Sequence, residues 1–150
     1  MPDPGGDVRT LTQEIYLQDL VLSIYRVYAG RMRDPGARAI LELYLTSETE
    51  RGRRIADVLL RLGAKPSPGL RVLFSKAGRG YGIATSFLGT RLMQRIILSA
   101  SRRASRHACA ALGADPRPDL IYLASLRARN EGDLRDAMMQ HLIDTRPKRA

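Results

Sequence analysis

Tryptophan is absent from this chain and phenylalanine occurs twice, so aliphatic side chains packed between helices have to supply most of the core. Cysteine occurs once, at Cys109, which excludes an intramolecular disulfide framework and suits a reducing compartment. In a helical context that residue reads as a small apolar side chain rather than a nucleophile. No stretch approaches the ~20 apolar residues that cross a bilayer. The nearest, Gly80 to Thr90, is uncharged but far too short. Met1 to Asp7 carries acid, proline and glycine where a signal peptide needs a basic region and an apolar run. The expectation is a cytoplasmic protein that does not cross a membrane, with a peripheral place on the membrane's inner face left open. No internal repeat of solenoid type is present.

Cations are abundant. Of 25 Lys+Arg all but three are arginine, and the net charge is +10. Arginine is weakly hydrated and its planar fork matches phosphate, so nucleic acid and anionic lipid headgroups are both chemically suitable partners. An organism with arginine-rich proteins accounts for the same composition. The length, 150 residues with 44% hydrophobic and 27% charged, fits one globular domain with a real core.

Along the chain, residues 1–9 are expected to be disordered, 10–143 to form a helical bundle, and 144–150 a basic tail. Thr10 with Gln13 has the spacing of a capping box for helix 1, whose face would run through Leu11, Ile15, Leu20, Ile24, Val27 and Tyr28 to Met32. Asp34 and Pro35 suit the N-cap and first position of helix 2, which stops at Gly63. Pro66-Ser67-Pro68-Gly69 is a rigid connector. Leu70 to Gly82 reads as a short helix plus a kinked crossing, and helix 3 as Ile83 to Leu112. After Asp115-Pro116-Arg117-Pro118-Asp119, helix 4 covers Leu120 to Ile143. Two short turns and one longer middle connection predict an all-α, ferritin-like four-helix bundle with a crossover between helices 2 and 3.

Helix 2 carries the most regular pattern: Leu41, Tyr44, Leu45, Glu48, Arg51, Ile55, Leu59 and Leu62 recur at spacings of three and four. A stripe that should be apolar thus holds a carboxylate and a cation one turn apart. In ferritin-like bundles this place is held by Glu-x-x-His, whose side chains reach the same iron. Around it, four segments in order resemble the demethoxyubiquinone hydroxylase family, di-iron enzymes of ubiquinone biosynthesis. They are Ile24-Tyr25-Arg26-Val27-Tyr28-Ala29-Gly30-Arg31-Met32, then Glu48-Thr49-Glu50-Arg51. Next come Leu70-Arg71-Val72-Leu73 with Ala77-Gly78, Gly82, Thr85 and Leu88-Gly89, and finally Asn130-Glu131-Gly132-Asp133-Leu134-Arg135. The resemblance spans Leu20 to Leu142 and implies a ferritin-like fold.

It also exposes departures. The family's helix 1 glutamate falls on Val21, its helix 3 acids on Ser101 or Arg102 and near Arg106, and its histidines on Arg51 and on or beside Arg135. Glu48 and Glu131 remain. Independently of any alignment, the residues three before His107 and His141 are Ala104 and Met138, so no Glu-x-x-His exists. A di-iron site needs about four carboxylates and two imidazoles, and this residue set predicts no iron and no other cofactor. Buried carboxylates then need partners, which predicts a salt-bridge cluster of Glu48 and Glu131 with Arg51 and Arg135. The alternative is that Glu50–Arg54 and Glu131–Arg135 are surface pairs one turn apart.

Leu70 to Ile97 mixes apolar residues with Arg71, Lys76, Arg79, Arg91 and Arg95, the make-up of a segment lying in a membrane interface. In the resembled family this region faces the membrane and admits a polyprenyl quinone. Leu70, Val72, Leu73, Phe74, Arg79, Tyr81, Phe87 and Leu88 are the expected lipid-facing residues; closure of the core is the alternative. The first functional reading is therefore a non-catalytic, metal-free relative that binds a quinone or isoprenoid lipid at the membrane surface, or scaffolds a partner enzyme. The second is an active oxygenase with displaced ligands such as Glu14, Asp133 or His141. The third is nucleic-acid binding through clusters such as Arg51-Arg53-Arg54 and Arg102-Arg103-Arg106. Homo-oligomer formation is compatible with each.

Overall fold

The computed structural model describes residues 4–107 and 117–147. Among these the chain is all helix, without strands: α1 (Pro4–Arg31), α2 (Pro35–Arg61), α3 (Pro68–Ser86), α4 (Thr90–His107) and α5 (Pro118–Asp144). The expected end of the third long helix at Leu112–Gly113, and Cys109, lie outside the described residues.

Local chemistry sets most of the boundaries. Asp34 caps α2, its Oδ1 accepting from the Gly36 and Ala37 N–H groups, with Pro35 at the first position. Gly63, at φ 73°, ends the helix; Gly63 N–H donates to the Leu60 carbonyl and Ala64 N–H to that of Leu59, which satisfies two otherwise orphaned acceptors. Ser67 caps α3 ahead of Pro68. Two expectations fail. Thr10 is not an N-cap: α1 already begins at Pro4, and residues 4–9 form its first turns. Leu70 to Gly82 is not a kinked crossing but part of one 19-residue helix, and the chain breaks later, at Phe87–Gly89, where Gly89 has φ 94°. The glycines of α3 open space for a neighbour instead of bending the backbone.

Directions follow from the pairings. Gln18 meets Glu48 while Leu11 and Ile15 pack with Ile55 and Leu59, so α1 and α2 are antiparallel. Asp19 meets Arg71 and Tyr28 meets Thr85, so α3 runs alongside α1 in the same direction. Tyr44 meets Glu131 and Arg61 meets Asp119, setting α5 antiparallel to α2. The start of α4 lies beside the end of α5 and the start of α2. Hence α2 and α4 point the same way, and α3 is the return segment between them.

Two apolar clusters form the core. One gathers Tyr25 and Tyr28 of α1 with Met32 just after it, Leu41 and Tyr44 of α2, Met93 and Ile97 of α4, and Leu134 and Met138 of α5. The other gathers Leu11, Ile15, Ile55, Leu59, Leu120 and Leu123. On α1 the buried face is thus Leu11, Ile15, Gln18, Leu22, Tyr25 and Tyr28; Leu20, Ile24 and Val27 belong to a second, half-buried face turned to α3. The expected stripe mixed the two.

Candidate functional site

Between the two apolar clusters lies a polar layer, built where the stripes of α1, α2 and α5 each carry a hydrophilic residue in register. Glu48, Arg51 and Glu131 are only 2%, 3% and 5% exposed, and Gln18 and Asn130 are buried with them. Arg51 Nε donates to Glu48 Oε1 and Oε2 at 3.0 and 3.1 Å, and its Nη1 reaches Glu14 of α1 at 2.6 Å. Asn130 Nδ2 donates to Glu48 Oε1 at 2.8 Å, and Gln18 Nε2 to the Glu48 carbonyl oxygen at 2.7 Å and to Oε2 at 3.1 Å. Arg127 adds a longer contact to Glu14, 3.4 Å. A side chain at position 52 would run into the Gln18 amide, so Gly52 is what lets Gln18 lie against α2.

Opposite charges are paired inside this layer. Burial works against the Arg51 cation, but the Glu48 and Glu14 carboxylates outweigh it and hold the guanidinium above its ordinary value. Glu131 is treated differently. Its Oε1 accepts from the Tyr44 hydroxyl at 2.6 Å, and its buried Oε2 has no partner among the described residues. Burial pushes the Glu131 carboxyl up; the Tyr44 hydrogen bond opposes this and the Glu48 charge adds to it. Burial, reinforced by Glu131 and Glu48, also raises the Tyr44 hydroxyl well above its ordinary value, and Tyr25 moves the same way. The layer holds two carboxylates, Glu48 and Glu14, tied to arginine and one carboxyl, Glu131, tied to a phenol.

The structure brings Glu48, Arg51 and Glu131 together, and Val21 lines the small cavity beside them. It does not bring Arg135. That residue is partly exposed and pairs with Asp136 at 3.1 Å, because its place on α5 lies off the stripe that holds Glu131 and Leu134. Glu131 therefore hydrogen-bonds to a tyrosine and, among the described residues, to no arginine. Ser101 is fully buried on α4 with its hydroxyl on the Leu98 carbonyl, and Arg102 is exposed on the same helix. Glu50–Arg54 is a surface pair at 3.6 Å.

This donor set does not fit a di-iron centre. Both oxygens of Glu48 are already engaged by Arg51 and its neighbours, and the cavity among these side chains is about 30 Å³, room for one or two waters. The displaced candidates do not converge either. Glu14 is held by Arg51, Asp133 is exposed in a groove between α2 and α5, and His141 Nε2 contacts Asp34 Oδ2 at 2.7 Å at the bundle's end. No three His, Cys, Asp or Glu among the described residues gather in a metal-binding group. The His107 side chain lies outside the described residues.

Comparison with family models, curated proteins and solved structures gives no match. The chain's own geometry carries the reading.

That geometry has a second notable surface, on α3. Its buried residues are all small: Gly78, Gly82 and Ser86. A Cβ at Gly78 would strike the Leu20 carbonyl oxygen of α1, and one at Gly82 would sit 3.1 Å from the Ile24 carbonyl oxygen. Asp19 clamps Arg71 with two hydrogen bonds, 2.7 and 3.0 Å, Tyr16 stacks on Phe74, and the Tyr28 and Thr85 hydroxyls meet at 2.7 Å. Phe74 is thus half-buried against α1 and does not face outward as expected. The other apolar residues singled out on this segment do: Leu70, Val72, Leu73, Tyr81, Phe87 and Leu88 are exposed. Arg79, Lys76, Arg71 and Arg26 line a shallow groove of about 720 Å³ along the α1–α3 seam. No helix among the described residues is long and apolar enough to cross a membrane.

Proposed function

We propose that the protein is a non-catalytic, metal-free, ferritin-like relative of demethoxyubiquinone hydroxylases that lies on a membrane surface through α3 and takes up a quinone or another isoprenoid lipid there. The parallel α2 and α4, bridged by α3, are the arrangement that a crossover bundle requires, and this supports the ferritin-like assignment. The polar layer supports the metal-free half of the reading, since Arg51 engages both carboxylate oxygens that Glu48 would need to offer a metal.

One observation carries the membrane half. Leu70, Leu73, Ala77, Tyr81 and Ala84 are spaced three and four apart on the outer face of α3, and all are exposed. The helix turns its small residues inward and, Phe74 and Ile83 apart, its large apolar ones outward, with Lys76 and Arg79 on the flank. An amphipathic helix in a lipid interface has this composition, with the apolar side in the acyl boundary and cations at the headgroups. In the nucleic-acid reading, arginines would gather on one recognition element, and here they are distributed over every helix.

Sedimentation with vesicles tests the proposal. The protein is expected to bind vesicles containing phosphatidylglycerol and to release at high salt. Lys76→Gln/Arg79→Gln should weaken binding roughly tenfold or more, since each cation contributes about 1 kcal/mol near an anionic surface. Leu73→Glu should abolish it with the helical content unchanged. Equal binding by Leu73→Glu sinks the assignment.

A further inference from the structure

A pocket at the N-terminal end of α4 supports a separate reading. It has a volume of about 580 Å³ and lies where the start of α4 meets the end of α5. Arg91 and Arg95 from α4 and Arg146 from beyond α5 line it, with Thr90 at the helix N-terminus. Gly89 accepts the first intrahelical bond, from Met93, so the N–H groups of Thr90, Arg91 and Leu92 have no acceptor within the helix. A helix N-terminus and three guanidinium groups favour a multiply charged anion.

Gln94 adds an observation independent of charge. It is only 5% exposed and lines this pocket, yet its amide makes no hydrogen bond among the described residues. The residue is buried but its amide is not sealed from the pocket, so it is free to donate to a ligand oxygen there. The acidic residue in the pocket wall is Asp34, and it is already engaged: Oδ1 caps α2 and Oδ2 is on His141. Phe87 and Leu88, 76% and 69% exposed, immediately precede the pocket in the chain.

We infer that this pocket binds a phosphate or diphosphate ester, with the phosphoryl oxygens held by Arg91, Arg95 and the first N–H groups of α4 and one oxygen accepting from Gln94. The site goes beyond the membrane reading and does not depend on the outer face of α3. Its volume exceeds what a bare phosphate fills, leaving room for the esterified group, and the adjacent Phe87–Leu88 corner suits a lipid-borne phosphate as well as a soluble one.

Calorimetry at fixed ionic strength with inorganic pyrophosphate, and sedimentation with phosphatidate vesicles, test this on the full chain. Saturable pyrophosphate binding that falls roughly tenfold or more in Arg91→Gln/Arg95→Gln supports the site with a soluble ligand. It should also fall in Gln94→Leu and persist in Arg79→Gln. Phosphatidate binding with the same pattern, and no pyrophosphate binding, supports the site with a lipid headgroup. The two α4 arginines are exposed, so circular dichroism of the double variant should match the parent; Arg146→Gln provides a second variant outside α4. Absence of binding in both arms, or affinities unchanged in Arg91→Gln/Arg95→Gln and in Arg146→Gln, overturns the inference.

Discussion

At the scale of single residues, Arg51 is the group on which the interior depends. Its removal strips buried Glu48 of its guanidinium partner and leaves Glu14 only the longer contact with Arg127. Arg51→Met is therefore expected to cost about 3–5 kcal/mol, the usual penalty for orphaning one partner of a buried pair. Chemical denaturation measures it; an unchanged midpoint contradicts the account of the polar layer. Glu131 makes the opposite prediction. Its folded-state pKa lies above the ordinary value of 4.5, so the folded state holds the proton more tightly than the unfolded chain. Stability linked to this group is complete below that ordinary value and is lost as pH rises through the raised one. Glu131→Gln removes the titration, so its stability relative to the parent should climb across that window and level off above it. A difference that stays flat from acid to neutral pH contradicts this. Part of the layer was legible in the sequence, because Glu48 and Arg51 interrupt an otherwise apolar stripe. Gln18 and Asn130 were not singled out, although each also sits on such a stripe. On α1 the spacing of three and four fits two adjacent faces, and only the position of α3 decides which one is the core.

At the scale of elements, α3 differs from what local sequence suggested. Three glycines within five residues, Gly78, Gly80 and Gly82, invite a kink. The helix continues because Gly78 faces α1 at a distance that no Cβ tolerates and Gly82 at one tighter than most Cβ contacts, and tertiary contact offsets their poor propensity. Gly78→Ala should consequently destabilise by about 1–3 kcal/mol through overpacking, exceeding the gain of about 1 kcal/mol in helix propensity. Gly80, with open space around it, should show the propensity gain alone when changed to Ala. Thermal unfolding of both variants distinguishes these outcomes; equal shifts would mean that α3 does not rest on α1 as described. The start of α1 was misplaced by the capping-box pattern at Thr10, which the helix simply runs through, a reminder that such a pattern also occurs inside helices.

At the scale of the whole molecule, the arrangement separates an interior whose charged groups pair with one another from an outside rich in arginine. The all-helical fold, the antiparallel α1–α2 pair and the long return between α2 and α4 were readable from two short turns and one longer connection. Which face of each helix turns inward was only partly readable, as Arg135 shows: it lies four residues after Glu131 but points away from the layer. The proposed function accordingly places membrane recognition on the surface, on the outer side of α3. Because the chain contains no tryptophan, Tyr81→Trp provides a single fluorescent reporter on that side. With phosphatidylglycerol vesicles its emission is predicted to shift to the blue and to be quenched by brominated acyl chains. Emission that stays at the water-exposed maximum while the protein is vesicle-bound, or that ignores the brominated lipid, would contradict the membrane placement of α3.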